Sequence, residues 1–418
     1  LALIVGCSSG GDDAKGTDQT ADPADEGDAG AGGGGDGTGG SSDTPGGGDE
    51  PSGALSPTAL VDGCSGQKLR EGIPDDLAAD GPWPVGAVTT TLGGVNTEVW
   101  YPAKQGSQAG QARVIYDMRE HLPPTEAQKI PEERNPRQDC DCYRDLPLDD
   151  EAGPYPVILF IHGTAGFRTT NLDNATHWAS RGFVVIAGDH PGIMLRDMLG
   201  GGFGGGNQTQ DGRAMLSDLA KTEGDLAFLA GHLDMQRVAA IGHSAGGGAV
   251  SGYSDIADVI VVYAAGGGVA GGRASSMMSL MGASDSVARA SSGGYDGSST
   301  ASRRYVSIAK GGHLVGGNLC TLRDPTNPEV DIVDLANEFQ LGNALLRPFF
   351  GTLFDGCNAT PDDPSGEFIP ASRGIEIMNY VTSGVFEETL HCAVRSASLS
   401  ETSAVYGADI ADYMETLP

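Results

Sequence analysis

The chain has 418 residues, 66 of them Gly, with 56 Asp and Glu against 25 Lys and Arg, a formal net charge of −31. That acidity argues against a nucleic-acid partner, because nothing neutralises a run of phosphates, and against docking on an anionic membrane through basic residues. No run of 18 apolar residues is present, so no bilayer span is expected, and the length suffices for a full core without staples.

The chain begins LALIVGCSSG. The apolar stretch ending in Ile4-Val5-Gly6-Cys7 resembles a bacterial lipobox. That resemblance implies a signal peptide cut before Cys7 and a diacylglycerol on its thiol. It places the protein at the bacterial cell envelope, periplasmic or surface-facing and by resemblance on the outer membrane, with the lipid anchor as its membrane contact. Residues 8–60 are low-complexity and rich in Gly and Asp, with eleven acids against Lys15, so ten of the net negative charges belong to them. Such a segment cannot bury enough surface to offset its ordering entropy, and a disordered tether is expected.

Residues 64–418 are expected to form one domain. Beyond Cys7 six cysteines remain: Cys64, Cys140, Cys142, Cys320, Cys357 and Cys392. An even number outside the cytoplasm predicts up to three disulfides, with the pairing left open. A zinc site is disfavoured, since Cys140-Asp141-Cys142 has one intervening residue and no matching pair follows.

From about residue 80 short β-branched runs alternate with helical stretches. Ala87–Leu92 and Thr97–Tyr101 read as an antiparallel opening pair. Val157–Ile161, Phe183–Ala187, Val238–Ile241, Val259–Tyr263, Met277–Met281 and Tyr305–Ala309 read as buried strands. Helical patterns occupy Asn171–Ser180, Asp211–His232 and Ala245–Ser254. Apolar strands separated by helices predict an α/β class, a mostly parallel sheet covered on both faces. Three stretches fit less well: a polar insertion at 104–153, a Gly-rich loop at 192–212 expected to be mobile, and a C-terminal extension from 320 with a helical pattern near Val330–Phe350. Loops this long are usually functional or disordered.

The pattern G-x-S-x-G occurs twice, at Gly6–Gly10 and at Gly242-His243-Ser244-Ala245-Gly246. Only the second follows a predicted strand, Arg237–Ile241, and precedes a small-residue helix start, the context a nucleophile elbow requires. A nucleophilic Ser needs a base and an oxyanion site. The strand Val157–Ile161 runs into His162-Gly163-Thr164-Ala165-Gly166. A strand followed by His-Gly resembles the second oxyanion-hole contributor in hydrolases of this layout, which implies that the backbone N–H of Thr164 pairs with that of Ala245 around the oxyanion. Downstream, Gly282-Ala283-Ser284-Asp285 and Lys310-Gly311-Gly312-His313 each follow a strand. Asp285 is therefore expected to orient His313, and His313 to take the Ser244 proton.

Competing residues fit worse. Asp255 and Asp258 come before the next strand, and Asp189 and His190 lie upstream of the serine. His232 precedes the elbow strand, His391 lies far down the extension, and His243 is expected to pack away from the pocket.

With these motifs in place the chain resembles the α/β-hydrolases. More narrowly it resembles the predicted dienelactone hydrolase and platelet-activating-factor acetylhydrolase-like group, with polyester-cleaving cutinases as cousins. The resemblance rests on residues 155–170, 178–192 and 226–248, on Gly282–Asp285 and on Gly311–His313, within roughly 95–320. It implies a serine carboxylic-ester hydrolase working through an acyl-enzyme, with no metal and no organic cofactor. Its substrate is a small-molecule, lipid or polymer ester. Two departures stand out. Dienelactone hydrolases proper use Cys where this chain has Ser244. The Trp that polyester-cleaving relatives carry after the strand beyond the elbow is replaced by Tyr263-Ala-Ala-Gly-Gly-Gly268. Two alternatives stay open: acyl transfer on a lactone, thioester or peptide, and a non-catalytic hydrolase-fold lipoprotein.

Overall fold

In the computed structural model, residues 72–342, 355–357, 367–393 and 399–418 are described. The lipobox cysteine Cys7, the tether at 8–60 and Cys64 lie outside them.

Among the described residues, nine strands of three or more residues form the central sheet: β1 (Val85–Leu92), β2 (Val95–Pro102), β3 (Tyr155–Ile161), β4 (Val184–Gly188), β5 (Leu233–His243), β6 (Val259–Tyr263), β7 (Ser276–Gly282), β8 (Ser302–Ile308) and β9 (Ile410–Thr416).

 They run in the order β1-β2-β4-β3-β5-β6-β7-β8-β9, and the two-residue strand Tyr143–Arg144 pairs beyond β1. β3 to β8 run parallel to one another, whereas β1–β2, β2–β4 and β8–β9 pair antiparallel. Crossover helices on both faces explain why the parallel strands read as unbroken apolar runs: β3, β4, β6 and β7 are buried at every position.

Alternate side chains of those strands feed two cores. Ile158, Phe160, Ile241, Val261 and Leu280 face one layer, with α1 (Leu172–Ser180) and a long C-terminal helix. Val157, Leu159, Ile161, Ile260 and Val262 face the other, with α3 (Gln208–Leu219) and Val250 of α4 (Ala245–Val250).

Several expectations need correction. The helix expected over Asp211–His232 stops at Leu219, and a 3-10 turn follows at Gly224–Leu229. Thr222 at φ 47° and Gly224 at φ 57° interrupt the helix between them. The helix expected over Ala245–Ser254 is α-helical only to Val250 before a 3-10 turn. The stretch 192–212 is not all loop, since it carries α2 (Leu195–Gly200), ended by Gly201 in the left-handed conformation at φ 81°. The insertion at 104–153, for which no element was expected, carries a small hairpin: Ile115–Asp117 pairs with Arg137–Asp139, and Cys140 and Cys142 are disulfide-bonded.

Of the helical pattern near Val330–Phe350, α5 spans Ile332–Glu338, and 343–350 lies outside the described residues. The sequence reading missed two elements of the extension. The 20-residue helix α6 (Ala371–Leu390) is buried along most of its length, and β9 closes the sheet edge beside β8. Trp178 of α1 donates its indole N–H to Thr382 of α6 at 2.9 Å, and the fully buried Arg181 donates to Glu387 at 2.5 Å. No helix among the described residues is long and apolar enough to cross a membrane.

Candidate active site

Ser244 sits between the end of β5 and the start of α4, at φ 53° and ψ −115°. A non-Gly residue seldom holds positive φ, and here the surroundings enforce it. A Cβ on Gly242 would strike the Gly246 carbonyl, and one on Gly246 would strike the Ile161 carbonyl. Both glycines of the motif are therefore steric requirements of the turn. The Ser244 N–H donates to the Tyr263 carbonyl at 2.9 Å, which fixes the elbow to β6.

The parallel strands deliver the other two expected residues to the same end of the sheet. His313 Nε2 lies 2.9 Å from Ser244 Oγ, and His313 Nδ1 lies 2.9 Å from Asp285 Oδ2. The second Asp285 oxygen accepts the Val287 and Ala288 N–H groups at 2.8 and 2.7 Å. Asp285 and His313 are buried, whereas Ser244 stays partly exposed. Hydroxyl, imidazole and carboxylate thus form one hydrogen-bonded line with only its serine end open to a reactant, the arrangement that lets an imidazole take a hydroxyl proton.

Thr164 and Ala245 are partly exposed; Ala245 follows Ser244, and Thr164 follows Gly163, at which a Cβ would lie 2.8 Å from Ser244 Cβ. The Thr164 amide has a visible orienting device. The Nε2 of His162 accepts the His190 N–H at 3.0 Å, so its proton is on Nδ1, which donates to the Gly163 carbonyl at 2.7 Å. Gly166 N–H donates to the same carbonyl at 3.0 Å. Because the peptide is planar and trans, fixing the Gly163 C=O turns the Thr164 N–H the opposite way. Burial, with His190 next in effect, lowers the His162 pKa to about 4, which keeps the ring neutral for this role. Gly163 itself admits no side chain, since a Cβ would stand 2.8 Å from both His243 Nδ1 and Ser244 Cβ.

Three contacts that sequence reasoning missed hold the backbone around His313. His243 Nε2 lies 2.9 Å from the His313 carbonyl, and the Tyr263 hydroxyl donates to the Val315 carbonyl. The Asp355 carboxylate accepts the His313 N–H at 2.7 Å. Asp355 lies in the extension, far from any motif, and only the distant contact reveals it. His243 was expected to pack away from the pocket; its ring instead packs on Tyr263 and His313 and forms part of the pocket wall.

The other residues weighed from the sequence lie elsewhere. Asp258 holds the Val238 N–H and Arg273, and Asp255 pairs with Arg213. Asp189 pairs with Arg168, and His391 stacks on Phe183. Among the described residues no group of three or more His, Cys, Asp or Glu side chains is placed to hold a metal ion.

Beside Thr164 and His243 opens an almost wholly apolar pocket of about 80 Å³. The insertion supplies Leu122 and Ile130 to its wall, α2 supplies Leu195 and Leu199, and the extension supplies Leu335 and Leu341. All three stretches that fitted the sheet plan poorly therefore converge on one cavity at the elbow.

The family model for platelet-activating factor acetylhydrolase, isoform II, matches residues 83–192. The matched span carries β1 to β4 and the Thr164 loop and ends before the elbow. No curated protein matches the chain. The fold is that of an α/β-hydrolase, and the likeness supports a serine ester hydrolase in general.

Proposed function

We propose that this protein is a carboxylic-ester hydrolase in which Ser244 is the nucleophile, His313 the general base and acid, and Asp285 the group that orients it. The observation that carries the reading is the continuous line Ser244 Oγ, His313 Nε2, His313 Nδ1, Asp285 Oδ2, with both links at 2.9 Å. Ser244 attacks the acyl carbon as His313 takes its proton. The Thr164 and Ala245 N–H groups stabilise the oxyanion. His313 then protonates the leaving alkoxide, and water, deprotonated by the same imidazole, releases the acid.

The apolar pocket supports an aliphatic acyl group as the substrate's distinguishing part. The pocket's volume of about 80 Å³ limits the length of acyl chain it can bury. The Cys140–Cys142 and Cys320–Cys357 disulfides support a substrate met outside the cytoplasm. A lipid anchor on Cys7 is part of the same proposal.

The test is the initial rate on p-nitrophenyl esters with Ser244→Ala alongside. The reading expects turnover by the wild type and a loss of about 10⁴-fold or more in the variant. Equal rates in both proteins would refute it.

A further inference from the structure

We propose that Asp355 is a positioning residue for this site, held in place by the Cys320–Cys357 crosslink. The inference rests on the reading of Ser244, Asp285 and His313 as the reacting group. Asp355 Oδ2 accepts two backbone donors, the N–H of His313 at 2.7 Å and the N–H of Ser286 at 3.2 Å. Its Oδ1 accepts the Ser286 hydroxyl at 2.9 Å, and its carbonyl accepts the Leu314 N–H at 2.9 Å. One buried carboxylate thus ties the base to the residue that follows the acid. The two groups come from the ends of different strands, β7 and β8, and Asp355 spans the gap between their loops.

The backbone next to Asp355 is packed as closely as a chain permits. A Cβ on Gly312 would stand 2.5 Å from the Gly356 Cα, and Gly356 holds φ at +105°, where a side chain is strained. Gly312 and Gly356 must both be glycine for Asp355 to reach His313. One residue further on, Cys357 is bonded to Cys320, with the two Cα atoms 4.5 Å apart. Cys320 lies in the 3-10 turn Asn318–Thr321, on the same chain segment that leaves His313. The crosslink therefore closes a loop whose two ends meet at the base. A positioned base loses rate steeply with small displacements, about 100-fold for roughly 1 Å.

The test is steady-state kinetics on p-nitrophenyl butyrate with the full chain. Asp355→Ala is expected to lower kcat by about 10-fold to 100-fold, with KM within about twofold. Asp355→Asn is expected to restore most of that loss: its amide oxygen accepts both N–H groups, and its NH2 donates to Ser286 Oγ. Cys320→Ala/Cys357→Ala leaves Asp355 in the chain and is expected to lower kcat with KM held. Asp355→Ala added to that pair should cost less than it does alone, because both act through one contact. Wild-type kcat in Asp355→Ala, or no rescue by Asp355→Asn, would overturn the positioning role. Unchanged kcat in the cysteine pair, or fully additive losses, would overturn the part given to the crosslink. A wild-type chain that turns over no ester tells instead against the reading of Ser244.

Discussion

His243 holds His313 by its backbone: the ring Nε2 of the elbow residue lies 2.9 Å from the His313 carbonyl. A carbonyl only accepts, so His243 carries its proton on Nε2. Burial, with His313 next in effect, lowers its pKa to about 3 and keeps it a neutral single donor. The residue beside Ser244 thus reaches across to fix the loop that carries His313. His243→Phe keeps an aromatic ring and removes the donor. It is expected to reduce kcat by about tenfold or more and stability by about 1–3 kcal/mol, the cost of an unsatisfied buried carbonyl. Ester kinetics and urea unfolding check the two effects separately.

The proposed oxyanion site depends on one peptide orientation. His162 and the Gly166 N–H hold the Gly163 carbonyl, and that carbonyl sets the direction of the Thr164 N–H. His162→Phe frees the Gly163 carbonyl on the ring side. The expected loss in kcat is about 10-fold to 100-fold, below or near that of removing an oxyanion donor outright, with KM little changed. Equal kcat in the variant and the wild type would show that the peptide is held without His162.

Three buried histidines make stability depend on pH. Burial first of all lowers His121 to about 3, His162 to about 4 and His243 to about 3, from 6.5. Below about pH 6.5 the unfolded chain binds protons at these rings that the folded chain does not. Stability then falls as the pH drops, from about 6.5 down to the folded values, by up to about 1.4 kcal/mol per pH unit for each ring. Urea midpoints at pH 7.5, 6 and 5 should decrease in that order. A midpoint that holds steady or rises from pH 7.5 to 5 would contradict the burial argument.

If the apolar pocket beside Thr164 holds the acyl group as proposed, it sets an acyl-length preference. Each buried methylene contributes about 0.8 kcal/mol, about fourfold in kcat/KM. Along a p-nitrophenyl ester series, kcat/KM should climb from acetate to an intermediate acyl length and then fall, as the pocket volume limits the chain. Leu199→Trp narrows the wall and should shift the optimum to shorter chains while acetate turnover persists. Varying the alcohol at a fixed acyl group should leave the optimum in place. A flat acyl series would separate the pocket from the substrate.

The elbow, the oxyanion loop and the two downstream turns were legible because each is a strand followed by a short, glycine-bearing turn, a signal contained within a few residues. The strand order let them meet. What escaped reading depends on distant contacts. Helix α6 carries Gly374, Thr382, Ser383, Gly384 and Thr389 along a nearly all-round buried surface, so it lacks the one-sided stripe that marks a surface helix. Its position comes from packing on α1 and the sheet. Strand β9 mixes apolar and acidic residues and is only partly buried at the sheet edge, where pairing with β8 supplies the order. Asp355 stands 42 residues after His313, and nothing in its own neighbourhood announces the contact. The break after Leu219 was missed because Thr222 gives no sign in the sequence of its positive φ.

The central claim is that Ser244 is the activated nucleophile, and covalent labelling tests it most directly. The folded chain is treated with a fluorophosphonate, digested and mapped by mass spectrometry. The account predicts one stoichiometric adduct on Ser244, abolished in Ser244→Ala and slowed by about 100-fold or more in His313→Ala. An adduct on another serine, or none on folded wild-type protein, would contradict it.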